Sequence, residues 1–211
     1  MKLAVLSDVH GNLPALEIML KDAGAVDGYM SLGDNVNYGP WSNECIDLLH
    51  SLPNLTVLEG NHERDFLKGG YSGSNLVART FFDFCYPRFD RFTQISGLRE
   101  DHRLNGFTFV HTIRNQYVYP DSEITLDGSY VVGHSHYQFK ISQEPYVLYN
   151  PGSVGQNRQY INVIDYLTLE TATMKFEMHK VKYDERLIID EMKRQGYPEP
   201  CIRYYDDKLR F

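Results

Sequence analysis

Five short polar segments carry the side chains in this sequence that could hold metal ions. Each segment contains aspartate, asparagine or histidine and follows a short run of β-branched, aliphatic or aromatic residues. The candidate ligands they supply are Asp8, His10, Asp34, Asn61, His111, His134 and His136. A polar strand end is common by itself, but five with the same chemistry predict one site at the carboxyl edge of a sheet.

The chemistry of these side chains favours a pair of divalent ions. Two carboxylates, one amide and four imidazoles suit borderline ions such as Mn²⁺, Fe²⁺ or Zn²⁺ better than Ca²⁺, which prefers oxygen alone. The set is too large for one tetrahedral ion, whereas two ions that share a carboxylate account for all of it. We expect one ion at Asp8, His10, Asp34 and His136, and the other at Asp34, Asn61, His111 and His134.

The charge balance of such a site indicates a phosphorylated substrate. The two ions bring more positive charge than Asp8 and Asp34 return, so the site would attract an anion. Paired ions about 3.5–4 Å apart bind phosphoryl oxygens and generate hydroxide near neutral pH. The leaving oxygen still needs a proton, and His62, which directly follows Asn61, is the candidate general acid.

Composition limits the remaining possibilities. The 211 residues fit a single α/β domain, and 42% hydrophobic with 23% charged residues is typical of a globular protein. A net charge of −7 argues against non-specific nucleic-acid binding. No apolar run approaches the roughly 20 residues of a membrane helix. No signal peptide is recognised and the cysteines form no Cys-x-x-Cys motif, so we expect a cytoplasmic protein.

Hydrophobic periodicity predicts the elements that position the candidate ligands. Strands and helices alternate over the first 60 residues, which predicts parallel strands with right-handed crossovers. Further strands are expected at 107–110, 130–132 and 146–149, an antiparallel hairpin at 160–167 and 172–181, and a closing helix after Asp184.

The stretch 64–103 departs from this alternation. A loop rich in glycine and serine at 69–74 is followed by two predicted helices, 75–84 and 88–95, that are rich in Phe and Tyr. An excursion between two site-bearing strands is consistent with a helical lid or a pocket wall. Aromatic helices that only cover one face of the sheet explain the pattern equally well.

Together the motifs resemble the successive blocks of the calcineurin-like metallophosphoesterases. The matching segments are Asp8-Val9-His10, Gly33-Asp34, Gly60-Asn61-His62-Glu63, His111 and Gly133-His134-Ser135-His136, in an order and spacing that match along most of the chain. Gly33-Asp34 through Tyr38-Gly39-Pro40, the turn Asn150-Pro151-Gly152-Ser153-Val154-Gly155 and the closing helix resemble the small prokaryotic branch, which is phosphodiesterase-like. The resemblance implies a four-layer α/β/β/α sandwich of two mixed sheets flanked by helices.

The resemblance also implies a mechanism and a substrate class. It implies the ligand partition given above, in-line attack by a metal-bound hydroxide, and His62 as proton donor while Asn61 helps to hold the phosphoryl group. We expect a single domain over 1–211 that hydrolyses phosphodiesters or a nucleotide-like phosphate. Mn²⁺ is the first choice of metal, with Fe, Zn or Ni as alternatives. The expected partner is a small phosphoester, without a membrane, and a homo-oligomer is compatible with the sequence.

Two other functions stay open. Phosphoprotein phosphatases of the family carry a carboxylate three residues after the bridging aspartate, where this sequence has Asn37. An amide cannot stabilise an imidazolium as a carboxylate does, so a phosphomonoesterase or protein phosphatase is the second choice. A non-catalytic scaffold that binds a partner through the metal site is the third, and the intact ligand set argues against it. Candidates for contact with the substrate phosphate are Asn12, Tyr38, Arg64 and Arg158, each of which could equally be an ordinary surface or capping residue.

Overall fold

Two five-stranded mixed sheets form the centre of the computed structural model, which describes residues 1–114 and 116–211. The strands are β1 (Lys2–Leu6), β2 (Gly28–Ser31), β3 (Leu55–Val57), β4 (Asp101–Leu104), β5 (Phe107–Val110), β6 (Ser129–Val132), β7 (Gln138–Gln143), β8 (Tyr146–Pro151), β9 (Val163–Glu170) and β10 (Lys175–Lys182). The helices are α1 (Leu13–Ala23), α2 (Ser42–His50), α3 (Asn61–Lys68), α4 (Leu76–Cys85), α5 (Phe92–Ile95), α6 (Arg186–Arg194) and α7 (Glu199–Asp206), with a 3₁₀ turn at Tyr86–Arg88.

Parallel pairing at the centre of each sheet brings strand ends of the same polarity together. The first sheet has the order β10-β9-β1-β2-β3, in which β1, β2 and β3 are parallel and β9 is antiparallel to β1. The second sheet has the order β4-β5-β6-β8-β7, with β5, β6 and β8 parallel and an antiparallel strand at each edge. The carboxyl ends of β1, β2, β3, β5 and β6 lead into the five segments with the predicted ligands.

Alternating side chains of the strands divide the core into layers. Leu3, Val5 and Met30 of the first sheet pack with Phe109 and Val131 of the second, so the two sheets bury their inner faces against each other. The opposite side of β1 packs against α1, whose apolar stripe follows the helical period. The side chain of Asn12 accepts a hydrogen bond from the backbone N–H of Ala15 at 3.3 Å and caps this helix, as its type predicts.

The segment 64–103 packs against the end of the chain. Phe81 and Phe82 of α4 are buried in one cluster with Ile188 of α6 and Tyr205 of α7. Most rings of this cluster meet edge to face or tilted, for example Phe81 and Tyr205 at 6.2 Å between centroids, whereas Phe82 and Tyr86 are stacked. Helices from both halves of the sequence therefore share a single apolar layer.

The predicted sandwich of two mixed sheets flanked by helices is confirmed, but several elements differ from prediction. β4, β7 and α7 were not predicted from the sequence. The first two are edge strands with polar, half-exposed sequences, and α7 carries a proline in its first turn, where it is tolerated. The single helix expected at 88–95 is wrong, because only a 3₁₀ turn and the four residues of α5 are helical there. The described helices include none with the length and hydropathy needed to span a bilayer.

Candidate metal centre

The predicted ligands sit at strand ends with an unusual backbone conformation. Asp8, His10, Asp34, His134 and His136 all have positive φ angles, between 48° and 68°. This left-handed region is uncommon for residues other than glycine, although Asn, Asp and His adopt it more readily than most. Each such residue costs about 1–3 kcal/mol, and strain of this kind concentrates at functional sites. Its recurrence at five of the candidate ligands indicates that the fold holds these side chains in place for a site.

The first cluster of ligands joins the ends of β1 and β6. Nε2 of His136 lies 3.2 Å from Oδ1 of Asp8, and Nε2 of His10 lies 3.8 Å from the same oxygen. The two Nε2 atoms of His10 and His136 are 3.1 Å apart. All three side chains are buried, and their candidate ligand atoms are close enough to one another to hold one ion.

The second cluster lies around Asp34. Nε2 of His111 is 3.1 Å from Oδ2 of Asp34, and Nδ1 of His134 is 4.0 Å from that oxygen. Oδ1 of Asn61, at the start of α3, approaches His134 Nδ1 at 2.8 Å and His111 Nε2 at 3.2 Å. Asp34 also forms a compact group with His10 and His62, in which the candidate ligand atoms lie within 4.8 Å of one another. Asp34 is therefore placed between the two clusters, as a bridging ligand would be.

Hydrogen bonds behind the imidazoles show that lone pairs converge on both clusters. Nδ1 of His10, His111 and His136 faces the carbonyl oxygens of Val36, Leu32 and Gln156, at 3.2, 2.9 and 2.7 Å. A carbonyl only accepts hydrogen bonds, so Nδ1 carries the proton in each ring. In the neutral imidazole the other nitrogen, Nε2, then has its lone pair directed at the cluster.

This arrangement fits divalent ions. In the first cluster two imidazole lone pairs and a carboxylate oxygen face one another, and the buried Oδ1 of Asp8 has no hydrogen-bond partner. Acceptors brought together without a donor repel each other, and a bound cation removes that repulsion. The mixed nitrogen and oxygen donors are those expected for borderline transition metals.

The acid–base properties of the cluster suit metal binding. Burial raises the pKa of Asp34, but the imidazole of His111 outweighs it and holds this pKa well below the usual range. Burial also raises the pKa of Asp8, and His136 likewise outweighs that effect. Burial and the neighbouring His136 lower the pKa of His10, and burial with His111 lowers the pKa of His134 to about 3. At neutral pH these carboxylates are charged and the rings of His10 and His134 neutral, which are the forms that bind metals. His111 differs: burial lowers its pKa, but the charge of Asp34 outweighs burial and raises it to about 9, so a metal ion would compete with a proton for this ring.

His62 is buried beside the clusters with an amide as its partner. The side-chain amide nitrogen of Asn37 lies 3.0 Å from Nδ1 of His62, so the position that carries a carboxylate in phosphoprotein phosphatases does contact this histidine. The backbone N–H of His62 donates to Oδ1 of Asp34 at 2.8 Å. Burial lowers the pKa of His62, although the charge of Asp34 opposes this change.

Glu63 has a structural role in the site that was not predicted from the sequence. Its fully buried carboxylate accepts hydrogen bonds from the backbone N–H groups of Asp34, Asn35 and Gly60, at 2.8, 2.6 and 3.0 Å. It thereby joins the loop after β2 to the start of α3. Burial, followed by the charge of Asp34, raises the pKa of Glu63 to about 7. Glu63 belongs to the same motif as Asn61 and His62. The sequence gives no sign, however, that its carboxylate would bind the distant backbone N–H groups of Asp34 and Asn35.

The turn after β8 secures the end of β1. The hydroxyl of Ser153 donates to the carbonyl of Asp8 at 2.7 Å, and the N–H of Gly155 donates to the same carbonyl at 3.1 Å. A Cβ added to Gly155 would lie 1.8 Å from the carbonyl oxygen of Val9, so only glycine fits there. This contact between distant segments helps to hold Asp8 in its strained conformation.

The four residues proposed for contact with phosphate have different surroundings. Asn12 uses its side-chain amide on Gly155 O and Tyr183 Oη, both at 3.0 Å, so it supports the fold. Arg64 pairs with Glu59 at 2.9 Å beside a cavity of about 340 Å³ that His111 also lines. Tyr38 has its ring 5.3 Å from that of His62. Arg158 is half-buried, and its backbone N–H donates to the carbonyl of His136 at 3.4 Å.

Comparison with known proteins assigns the family. The family model for calcineurin-like phosphoesterases matches residues 1–137. The chain belongs to the calcineurin-like phosphoesterases. This membership supports hydrolysis of phosphoesters, and the family uses divalent metals. The predicted family is therefore confirmed, whereas the role of each ligand stays a prediction.

Three similar proteins match nearly the whole length of this chain. The chain is 28% identical to the uncharacterized protein MJ0912 of Methanocaldococcus jannaschii, over 93% of this chain and 94% of that protein. It superposes on a metallophosphoesterase from Sphaerobacter thermophilus with a TM-score of 0.81 at 27% identity, covering 98% of this chain and 99% of the other. The hypothetical protein PH1004 from Pyrococcus horikoshii shares the fold, with a TM-score of 0.77 at 19% identity over 97% of each chain.

Proposed function

We propose that this protein is a dinuclear metal-dependent phosphoesterase that acts on phosphodiesters or a nucleotide-like phosphate. The observation that carries the proposal is the convergence of imidazole lone pairs and two carboxylates on adjacent clusters that meet at Asp34. Asp8, His10, Asp34 and His136 would hold one ion, and Asp34, Asn61, His111 and His134 the other. When bound, the ions supply positive charge to the phosphoryl oxygens and lower the pKa of water.

The residues of the chain divide the remaining work of the reaction. Oδ1 of Asn61 faces His111 and His134, which leaves its amide nitrogen to donate to a phosphoryl oxygen. To act as an acid His62 must be an imidazolium with a proton on each ring nitrogen, so the amide of Asn37 would turn its otherwise unpaired oxygen to accept from Nδ1–H, which leaves the Nε2 proton for the substrate. His62 gives this proton to the leaving oxygen. Glu63 holds the backbone at Asp34 next to the start of α3 while the substrate binds.

We also propose that 64–103 forms a wall of the pocket within a single domain of 1–211. The ring of Phe81 lies 4.5 Å from that of Tyr38, which in turn contacts His62. Hydrogen exchange tests this assignment, because a wall predicts slow exchange in α4 with and without substrate. A lid that opens would instead show exchange in α4 that slows when substrate binds.

The first test compares two chromogenic substrates. Hydrolysis of bis-p-nitrophenyl phosphate and p-nitrophenyl phosphate is measured with Mn²⁺, with other divalent ions and with chelator. Mn²⁺-dependent cleavage of the diester that is lost in Asp34→Asn supports the proposal, and the exposed Asp190→Asn is the matched control. Thermal unfolding and metal analysis of both variants separate loss of ions from loss of fold.

The other outcomes distinguish the alternatives. Cleavage of the monoester alone would make the protein a phosphomonoesterase despite Asn37. Two bound ions without turnover of any phosphoester would favour a binding scaffold. Metal analysis of protein purified without added metal tests the proposed preference for Mn²⁺ over Fe, Zn or Ni.

A further inference from the structure

The ring of Tyr117 stacks on a predicted metal ligand and is also open to solvent. Its centroid lies 4.0 Å from that of the His134 imidazole, with an angle of 23° between the two planes. Tyr117 is nevertheless 57% exposed. In the described part of the chain, His134 is the only aromatic ring that contacts Tyr117. Because the imidazole can cover only one face of the phenol, the exposed surface includes the opposite face and the edge of the ring.

His134 is held differently from the other three imidazoles of the site. Those three rings have a backbone carbonyl behind Nδ1 and direct Nε2 at the clusters. His134 instead directs Nδ1 inward, at 2.8 Å from Oδ1 of Asn61 and 3.2 Å from Nε2 of His111. No group among the described residues forms a hydrogen bond with its Nε2. The stacked ring of Tyr117 therefore helps to set the plane of this imidazole.

Tyr117 stands at the mouth of the metal centre. The side chain of His134 is 15% exposed, whereas those of His10, His111 and His136 are 0%, 5% and 4% exposed. Tyr117 thus covers the imidazole that lies nearest to solvent. A phosphoester bound at the clusters must extend its organic part outward through this mouth, past the open face of Tyr117.

The backbone around Tyr117 is anchored to the fold. Tyr117 lies in the connection between β5 and β6, where Ile113 and Val118 are buried in one apolar cluster with Leu126. The backbone N–H of Gln116 donates to the carbonyl of Ile113 at 2.7 Å, immediately before Tyr117. A side chain that is already held in place loses little conformational freedom when a ligand binds to it. The open face of Tyr117 is therefore preorganised for stacking.

We propose that this open face of Tyr117 stacks on the nucleobase of a nucleotide-like substrate whose phosphoryl group binds at the metal centre. The inference rests on the proposed function and deepens it, because it selects phosphoesters that carry a base over purely aliphatic ones. Aromatic side chains bind any base through its π-face, and a neutral phenol does so without repelling the metal ions.

The position of His134 favours a base over the ring of an aryl ester. The imidazole lies between Tyr117 and the ligand atoms of the second cluster. A ring that reaches Tyr117 must therefore be separated from the phosphorus by about the width of an imidazole. The sugar of a nucleotide provides such a spacer, whereas an aryl ester places its ring directly beside the phosphoryl group.

The test compares ligands with and without a base. AMP, ribose 5-phosphate and phenyl phosphate are assayed as inhibitors of bis-p-nitrophenyl phosphate hydrolysis, with free Mn²⁺ constant and saturating. The proteins are the wild type, Tyr117→Leu, Tyr117→Phe and the control Tyr146→Leu. Tyr146 is an exposed tyrosine at the amino end of β8, at the edge of the sheet opposite the site. Isothermal titration calorimetry measures binding independently of the assay, and metal analysis with thermal unfolding confirms that each variant is loaded and folded.

The expected result is a selectivity ratio that depends on the ring of Tyr117. AMP should bind at least about fivefold more tightly than ribose 5-phosphate in the wild type, in Tyr117→Phe and in Tyr146→Leu, as expected for one stacked base. This advantage should fall to about twofold or less in Tyr117→Leu. The ratio of phenyl phosphate to ribose 5-phosphate should be the same in all four proteins.

Four results would overturn the inference. The first two are no advantage of AMP over ribose 5-phosphate in the wild type, and an advantage that survives in Tyr117→Leu. The third is equal weakening of all three ligands in Tyr117→Leu, which would mean that Tyr117 acts only by holding His134. The fourth is a fall of the phenyl phosphate ratio alone, which would assign Tyr117 to an aryl ester. Absence of hydrolysis with every metal would refute the proposed function instead, and the calorimetric ratio would still decide whether Tyr117 binds a base.

Discussion

Replacement of His62 by alanine should slow hydrolysis strongly for alkyl phosphoesters and weakly for p-nitrophenyl esters. A general acid contributes about 10²–10⁴ in rate, which corresponds to about 2.7–5.5 kcal/mol of transition-state stabilisation. An alkoxide needs the proton from His62 in order to leave, whereas p-nitrophenolate leaves without it. We therefore expect a loss of about 10²–10⁴ for a thymidine 5′-alkyl phosphate, and of about tenfold or less for the p-nitrophenyl ester of the same nucleotide.

The structure predicts that this substitution spares the metal centre. His62 holds Asp34 through its backbone N–H, which alanine retains, and its ring is not in either ligand cluster proposed here. Metal content per chain, measured by mass spectrometry, should therefore equal that of the wild type. His50→Ala is the matched control, since His50 is exposed in α2 and its removal should leave both rates and metal content unchanged.

The assay is a comparison of kcat/KM for the two esters in each protein. Equal losses for both leaving groups, at full metal content, would mean that His62 binds or positions the phosphoryl group and does not protonate the leaving oxygen. Unchanged rates for both esters would remove His62 from the mechanism. A loss of ions in His62→Ala would refute the ligand partition.

Three further predictions concern stability and reactivity. Glu63→Gln should lower the free energy of unfolding by at least about 1–3 kcal/mol, because an amide nitrogen would face backbone N–H groups that now meet carboxylate oxygens; urea denaturation measures this. Phe81→Ala should cost about 3–5 kcal/mol by the same method, while Leu76→Ala, 77% exposed on the same helix, should change it by less than about 0.5 kcal/mol. Burial raises the pKa of both Cys85 and Cys201 to about 12, against 9.0 for an ordinary thiol. The unfolded thiols thus lose their protons first, so stability should fall as the pH rises from 9 to 12, and a thiol reagent at pH 8 should label neither cysteine until the protein unfolds.

The parts of the fold that follow from local pattern were predictable. The strand at Phe107–Val110 lies where β-branched and aromatic residues indicate it, and Asn12 caps α1 because its side chain can reach a free backbone N–H. The helix α7 and the edge strands β4 and β7 were missed. Their own sequences are too polar or too interrupted to indicate a regular element, and they are stabilised by neighbours that are distant in the chain. Tertiary contacts decide such elements because local propensities contribute only fractions of a kcal/mol per residue.

The sequence by itself determined which side chains are available for chemistry and their order along the strands. Asp8, Asp34, His111 and His134 follow short runs of aliphatic, β-branched or aromatic residues, and parallel strands must end at a common edge, so a shared polar site was a consequence of the pattern. Tertiary structure alone decided the distances and the partners. The 3.1 Å approach of His10 to His136 and the contact of Asn37 with His62 join residues far apart in the chain. The physical reason is that hydrogen bonding, burial and charge act through space, whereas sequence periodicity reports only which face of an element is buried.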